Sequence, residues 1–410
     1  MIRPMNVGIV GQGYVGLTIA VAAAKSGCQV VGLDKNKDLV AELNRGNSHI
    51  EGISNDDISR IIESKHYRAT FLPNELVNSD VIVIAVPTPL SEVGEPDLNL
   101  LEKAARELSP VLRKRTLIIS ESTSFPGTLR RVIKPLIDEF GEFDHLYAVS
   151  PERVDPGNEY FNSKNTPRVV GGISEEARDK AVEFYSLFCD DVISVSSPEI
   201  AEAAKLLENS FRFINIGFIN EFARIMNAMN VSVEEVIDAA ATKPYGFMKF
   251  TPTVGIGGHC IPVDPIYLQH SASEVGEESK YIGLSESVNN DMPAYVATLL
   301  ERKVGSLKGK RILIFGVSYK PDVADTRETS AIKFLKELRK REAIVFWHDP
   351  LVRTWNGESS AAVAGNYDFG FVLNLHSNMD FNDWKNAPIY TLMKSKNHPH
   401  WIALLSSEIR

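Results

Sequence analysis

Short apolar runs separated by amphipathic segments fill the first part of the chain. The runs 7–10, 29–33, 81–86, 117–120 and 146–149 are apolar with little alternation, as strands buried on both faces require. The segments between them carry apolar residues at helical spacing. Strands alternating with helices from Met5 to about Val170 predict a parallel sheet with helices on both sides. A helix over 175–188 and a strand over 192–195 come next. Pro198 opens a different pattern, in which apolar residues recur at helical spacing from Ile200 to Met229 without an internal proline. This predicts one long helix, bent near Gly217. A second helical region spans 280–304, and the stretch 242–266 between the two is rich in Gly and Pro, the composition of a functional loop. From Lys310 the first rhythm returns: a strand over 311–316, a loop through Arg327, a helix over 328–341 and a strand over 344–348 ending at Asp349. The expected fold class is α/β, two doubly wound domains joined by a central helical one, over 1–197, 198–305 and 306–410.

Composition narrows the function classes. A chain of 410 residues, 44% hydrophobic and 24% charged, is long enough for several buried cores. Its formal charge of -9 gives no overall field for nucleic acid or an anionic membrane, so neither is an expected partner. The three cysteines, Cys28, Cys189 and Cys260, lack metal-ligand spacing, and no metal is expected. No basic-then-apolar leader opens the sequence and no apolar run reaches the ~20 residues of a membrane span, so the expected location is cytoplasmic.

Gly11-Gln12-Gly13-Tyr14-Val15-Gly16 comes directly after the first strand and opens a helix, and the second strand ends at Asp34-Lys35. This is the full context of a dinucleotide-binding fingerprint in a Rossmann-like domain. Gly11 permits the tight turn, Gly13 lets a pyrophosphate approach the helix N-terminus, and Gly16 allows close packing. Asp34 accepts ribose hydroxyls and repels a 2'-phosphate, which favours NAD over NADP. Two turns, Val86-Pro87-Thr88-Pro89 and Glu121-Ser122-Thr123, lie just past carboxyl ends of strands, where open sheets bind ligands. Glu152 and Arg153 stand at the same edge. Singly, each of these is an ordinary turn or surface residue; jointly they mark a site. Lys205 and Asn209, four apart, share a face of the long helix.

The segment from Gly255 to Pro265 carries the most chemistry. Three glycines, Gly255, Gly257 and Gly258, bare the backbone before Cys260 for a ligand to approach, and Pro262 and Pro265 stiffen the chain after it. A thiol in such a loop is placed as a nucleophile, and Asp264 could activate water against an acyl group on the sulfur. His259 reads as a structural or substrate contact.

At these residues the chain resembles the nucleotide-sugar 6-dehydrogenases, the UDP-glucose/GDP-mannose dehydrogenase family. The match runs through the fingerprint, Pro87-Thr88-Pro89, Glu121-Ser122-Thr123, the Ser150–Gly157 segment, Glu208-Asn209, the Cys260 loop and Gly316 to Glu328. The segments 150–157 and 242–248 are most similar to the branch acting on UDP-N-acetylglucosamine and related hexosamines. The resemblance implies a four-electron oxidation of a sugar C6 alcohol to a carboxylate with NAD, in a homodimer acting on a UDP-sugar. It implies that Cys260 captures the aldehyde, that Lys205 and Asn209 stabilise oxyanion charge, that Asp264 with Thr123 places the water, and that Glu152 acts as acid or base or positions the substrate. Arg153, Tyr245, Gly257, Tyr319 and Lys320 become substrate-side residues and Arg327 a cofactor contact. Two departures stand out. The family's Asp-x-Arg near the C-terminus is replaced by Ile389-Tyr390-Thr391-Leu392-Met393, and 243–250 carries Lys243 and Lys249 but no arginine. Other readings are a UDP-glucose or other NDP-sugar dehydrogenase, a two-electron hydroxyacid-type dehydrogenase, and a silent nucleotide-sugar-binding protein.

Overall fold

The structure, a computed structural model, describes residues 5–50, 52–141, 143–155, 158, 160–385 and 387–406. The chain divides into two compact units, Met1–Glu208 with Ile266–Val275, and Asn209–Pro265 with Gly276–Arg410.

The first unit is built on eight strands, β1 (Asn6–Val10), β2 (Gln29–Leu33), β3 (Tyr67–Thr70), β4 (Val81–Ile84), β5 (Leu117–Ser120), β6 (Leu146–Val149), β7 (Arg168–Gly172) and β8 (Val192–Val195). They lie in the order β3-β2-β1-β4-β5-β6-β7-β8, whose first six positions match the order of a dinucleotide-binding sheet. Ile9 pairs with Gly32 on one side and Val83 on the other. One face of the sheet buries Ile9, Leu17, Val30 and Phe184 and the other Val10, Ile82, Leu101 and Tyr147. The unbroken apolar runs result from this double covering.

The parallel expectation fails at one place: β6 and β7 run antiparallel, with Ala148 opposite Gly172 and Val149 opposite Gly171. A parallel return needs a crossover, normally a helix, and no helix is described between β6 and β7. Strands β3 and β7 escape the apolar pattern because β3 contains an exposed Arg68 and β7 reads Arg-Val-Val-Gly-Gly.

The second unit has a sheet of β9 (Arg311–Phe315), β10 (Ile344–His348), β13 (Phe369–Val372), β14 (Ile389–Thr391) and β15 (Ile402–Ala403), ordered β10-β9-β13-β14-β15, all parallel. A hairpin of β11 (Thr354–Trp355) and β12 (Glu358–Ser359) turns at Asn356-Gly357, both at positive φ, the signature of a two-residue turn. The helical middle is built from helices Pro198–Ala228, Val233–Ala241 and Lys280–Val304. Ile219, Ala223, Met292 and Val296 from it share a core with Ile312 and Trp347 of the C-terminal sheet and Phe334 of the helix Ser330–Lys340. The divergent C-terminal stretch is ordered as β14 and β15, with Trp401, Leu404 and Leu405 buried.

The helix Pro198–Ala228 is continuous through Gly217. The glycine serves close approach, since a Cβ there would meet Ser285 Cβ at 2.8 Å and Cα at 3.0 Å. Gly217→Leu should therefore push two helices of the second unit apart and cost about 1–3 kcal/mol, read as a lower thermal midpoint. An unchanged midpoint would show that the contact is loose.

Candidate active site

At the fingerprint, the conformation of each glycine fits a bound dinucleotide. Gly11 has φ +90°, and a Cβ there would meet the Ala85 carbonyl oxygen at 2.5 Å; one on Gly16 would meet the Gly11 oxygen at 1.8 Å. Above Gly13 a Cβ would meet nothing within 4 Å, and Gly13, the N-cap of helix Tyr14–Lys25, brings no capping side chain of its own. Bare backbone at a helix N-terminus is what a pyrophosphate needs. Asp34 is half-buried beside it, Oδ2 accepting from the Gln12 backbone N–H at 2.9 Å and Oδ1 from that of Asn36 at 2.9 Å, while Lys35 is exposed. Gln12, a variable letter of the motif, proves to be a keystone. Fully buried, it donates to the Ile9 and Gly11 carbonyls and accepts from Tyr67 at 2.8 Å.

The two predicted turns are joined to each other. Thr88 Oγ1 donates to the Thr123 carbonyl at 2.7 Å and Ser122 Oγ to that of Val86 at 2.7 Å. The hydroxyl protons of Thr88 and Ser122 are thus engaged within the protein, and Thr123 is half-buried beside exposed Pro87. Glu152 is held tightly: Oε1 accepts from the backbone N–H groups of Arg153 at 2.7 Å and Val154 at 2.9 Å, and Oε2 from Arg168 at 2.7 Å. Burial pushes its carboxyl up, but Arg168, these N–H groups and the nearby Lys205 ammonium outweigh it and hold it below the usual carboxylate range. At neutral pH Glu152 is an anion, suited to accepting a proton. Arg153 turns to Glu208 at 2.7 Å and the Pro167 carbonyl at 2.6 Å. Of its motif, Pro156 and Gly157 lie outside the described residues.

In the second unit, exposed Cys260 begins a tight turn, its carbonyl accepting from the Val263 N–H at 3.2 Å and the Asp264 N–H at 2.9 Å. Asp264 is thereby folded back on the cysteine, buried, with Asn209 Nδ2 donating to its Oδ2 at 2.5 Å. The preceding glycines are bare for a reason other than ligand approach. A Cβ on Gly258 would meet the Tyr319 ring at 2.8 Å, one on Gly257 the Glu328 carbonyl oxygen at 3.0 Å, and one on Gly255 Ser330 at 3.2 Å. The cysteine loop is packed onto the turn that carries Tyr319 and half-buried Lys320. Arg327, expected at the cofactor, is bidentate to Asp325, Nε donating to Oδ1 at 3.0 Å and Nη2 to Oδ2 at 2.6 Å. It lies within electrostatic reach of Cys260, where a cation favours thiolate. His259 is pushed below its usual range, by burial first and then by Arg327. Tyr245 is exposed with Lys243 4.9 Å over its ring, and Lys249 pairs with Asp238.

The second sheet echoes the first. Gly316 N–H donates to the His348 carbonyl at 2.9 Å and Val317 N–H to Asp349 at 2.9 Å, as Gly11 does to Leu33 at 2.8 Å and Gln12 to Asp34. Asp349, however, is buried against His376 at 3.0 Å.

The predicted residues thus fall into two sets. Gly11, Gly13, Tyr14, Val15, Gly16, Asp34, Lys35, Pro87, Thr88, Thr123, Glu152, Arg153 and Lys205 belong to the first unit; Asn209, Tyr245, Gly257, Cys260, Asp264, Tyr319, Lys320 and Arg327 to the second. Among the described residues no group of three His, Cys, Asp or Glu could hold a metal ion, and no helix is long and apolar enough to cross a membrane.

Comparison with known proteins agrees with this geometry. Residues 5–189 match the NAD binding domain of the UDP-glucose/GDP-mannose dehydrogenase family, 199–291 its central domain and 313–395 its UDP binding domain. The chain belongs to that family of NAD-dependent nucleotide-sugar dehydrogenases. It is 34% identical over 360 residues to a UDP-N-acetyl-D-glucosamine 6-dehydrogenase of Pseudomonas aeruginosa, covering 85% of this chain and 84% of that one. It is also 34% identical over 369 residues to a UDP-N-acetyl-D-mannosamine dehydrogenase of Pyrococcus horikoshii, covering 88% and 87%. A UDP-glucose dehydrogenase structure from Pyrobaculum islandicum matches with a TM-score of 0.89 at 25% identity over 98% of each chain.

Because Asp34 is fixed by two backbone N–H groups, its charge cannot swing away from an adenosine 2'-phosphate. The kcat/KM ratio of NAD to NADP should fall at least about tenfold in Asp34→Ala, which removes the repulsion of about 1.4 kcal/mol or more. An unchanged ratio would place cofactor selection elsewhere.

Proposed function

We propose that this enzyme oxidises the C6 hydroxyl of a UDP-hexosamine, UDP-N-acetylglucosamine by preference, to the carboxylate, with two NAD consumed and the sugar held on Cys260 in between. The observation that carries the reading is the turn that folds buried Asp264, bound by Asn209 at 2.5 Å, back onto exposed Cys260. A two-electron dehydrogenase needs no such pair. The domains over 1–197, 198–305 and 306–410 then carry cofactor, cysteine loop and UDP-sugar respectively, in the cytoplasm.

Gly11, Gly13 and Gly16 with the first turn of Tyr14 and Val15 would hold the pyrophosphate of NAD, and Asp34 its ribose. When bound, NAD supplies the hydride acceptor for both oxidations. Glu152, ionised, takes the proton of the C6 hydroxyl or orients it. The Cys260 thiolate adds to the C6 aldehyde, forming a C–S bond, and the Lys205 ammonium stabilises the resulting oxyanion. Loss of the second hydride from this thiohemiacetal gives a thioester. Asp264 with Asn209 and Thr123 places water, takes its proton as it attacks the acyl carbon, and the C–S bond breaks to return the thiol. Tyr319 and Lys320 hold the UDP-sugar, with Arg153, Tyr245 and Gly257 beside them. Arg327 extends the cationic surroundings of the thiol to the cofactor. The mannosamine epimer is the second reading, favoured by the equal identity to the Pyrococcus horikoshii relative.

Each UDP-sugar oxidised should release two NADH and a C6 acid, and a panel of UDP- and GDP-sugars should show the highest kcat/KM for UDP-N-acetylglucosamine. Cys260→Ser should abolish turnover with binding retained, and Asp264→Asn should accumulate a thioester on the Cys260 peptide, read by mass spectrometry. One NADH per sugar with free aldehyde, or wild-type rates in Cys260→Ser, would overturn the reading.

Leu207, Phe218, Ile225 and Met229 are exposed along the long helix, at 67%, 63%, 47% and 62%, an apolar stripe that a second copy of the chain would cover. Light scattering should return twice 45.4 kDa; a mass near 45.4 kDa at micromolar concentration would count against the homodimer.

A further inference from the structure

The reversal of β7 has a chemical result. Because β7 runs antiparallel to β6, with Val149 opposite Gly171, its first residue Arg168 lies beyond the carboxyl end of β6, beside the residues just after that strand. A parallel strand would have begun at the opposite edge. Arg168 is buried, its side chain 4% exposed, and it joins two carboxylates there. One arm, Nη2, donates to Glu152 Oε2 at 2.7 Å; the other, Nη1, bonds Glu121 Oε1 and reaches Ser150 Oγ at 3.3 Å. Tyr185 donates its hydroxyl to the same Glu121 oxygen and lies with its ring 4.6 Å under the guanidinium. Glu121 Oε2 is buried without a hydrogen-bond partner.

We infer that Arg168 is a positioning residue for catalysis, a two-armed clamp that fixes the orientation and charge of Glu152 from a mount formed by Glu121 and Tyr185. This rests on the proposed role of Glu152. Glu121, Ser150 and Tyr185 occupy one side of the guanidinium, and Glu152 lies at its other arm. Orientation comes from three fixed donors, Arg168 and the N–H groups of Arg153 and Val154, which leave the carboxylate one rotamer. Charge comes from the cation, since a carboxylate this buried would otherwise take up a proton. The groups facing the pair are Glu121 after β5, Ser150 after β6, Tyr185 at the end of helix Glu175–Tyr185, Cys189 in the turn after that helix, and Lys205 on the long helix. Arg153 is turned to Glu208. Glu121 has its second oxygen unpaired, and burial drives its carboxyl up to about 7 against the pull of Arg168. The cation is shared between the two carboxylates.

The test is the pH dependence of kcat/KM in the full-length enzyme with UDP-N-acetylglucosamine and NAD. A base lowered by its partner loses activity as pH falls through its folded pKa. Arg168→Lys keeps a cation but only one arm, so the acid limb should move up by about one pH unit or more, with kcat lowered about tenfold or more and KM for NAD little changed. Glu121→Gln keeps an acceptor for Arg168 and Tyr185 and removes the competing charge, so its limb should stay or move down. The double variant Arg168→Met/Glu121→Gln removes the buried cation with one of its carboxylates and tests the same limb if the single Met variant fails to fold. It should show the largest upward shift. An acid limb at the wild-type position in Arg168→Lys or in the double variant would overturn the clamp. Glu152→Gln separates the two readings: loss of the limb in it alone would sink only the clamp, whereas wild-type rates and limb in Glu152→Gln would sink the role of Glu152 itself.

Discussion

Everything at the cofactor-side edge depends on a single geometric constraint, that parallel strands deliver all their carboxyl ends to one line. Backbone there has no further ladder to join, so turns must satisfy their own polar groups. The first unit does this by tying each turn to the next: Gln12 to Asp34 and Tyr67, Ser122 to Val86, Thr88 to Thr123, and Arg168 to Glu121 and Glu152. These cross-ties are expensive to misplace, because the groups are buried and an unmet partner costs about 1–3 kcal/mol or more. The ties fix how the turns of the edge are oriented, which is what a reaction reliant on orientation requires.

The second unit solves a different problem, how to present an exposed thiol from a loop. Its means is packing of glycine against aromatic surface. The Tyr319 turn is laid over Gly258, against the backbone before Cys260, and the turn closing at Asp264 ties the Asp264 N–H to the Cys260 carbonyl. Arg327, steadied by Asp325, adds positive charge without becoming buried. Thiol, carboxylate and cation are therefore held by three separate local devices.

Much of this is legible in the chain. Unbroken apolar runs mark β1, β2, β4, β5 and β6 almost to the residue, because strands covered on both faces leave an unambiguous trace. The fingerprint and Asp34 are readable since glycine geometry and strand ends are local. What escapes is non-local. Arg168 at the head of a short strand resembles a surface residue in sequence, and only the reversal of β7 reveals that it is buried between carboxylates. Gln12 hides in a variable position of its motif, and the close approach at Gly217 is hidden because its partner, Ser285, stands far along the chain. The glycines before Cys260 are bare, as their spacing suggests, but the surface they accommodate belongs to the protein.

The likeness of the two sheets ends at their second strands. Asp34 accepts two backbone N–H groups and keeps part of its carboxylate toward the surroundings. Asp349 accepts from Val317, Ser318, Leu351 and Val352 and pairs with His376, with its side chain sealed from solvent. A carboxylate so fully committed has no lone pair left for a sugar hydroxyl. Duplicated architecture here does not mean duplicated surroundings: one aspartate remains partly open, while its counterpart is a buried fastening that locks the neighbouring turn.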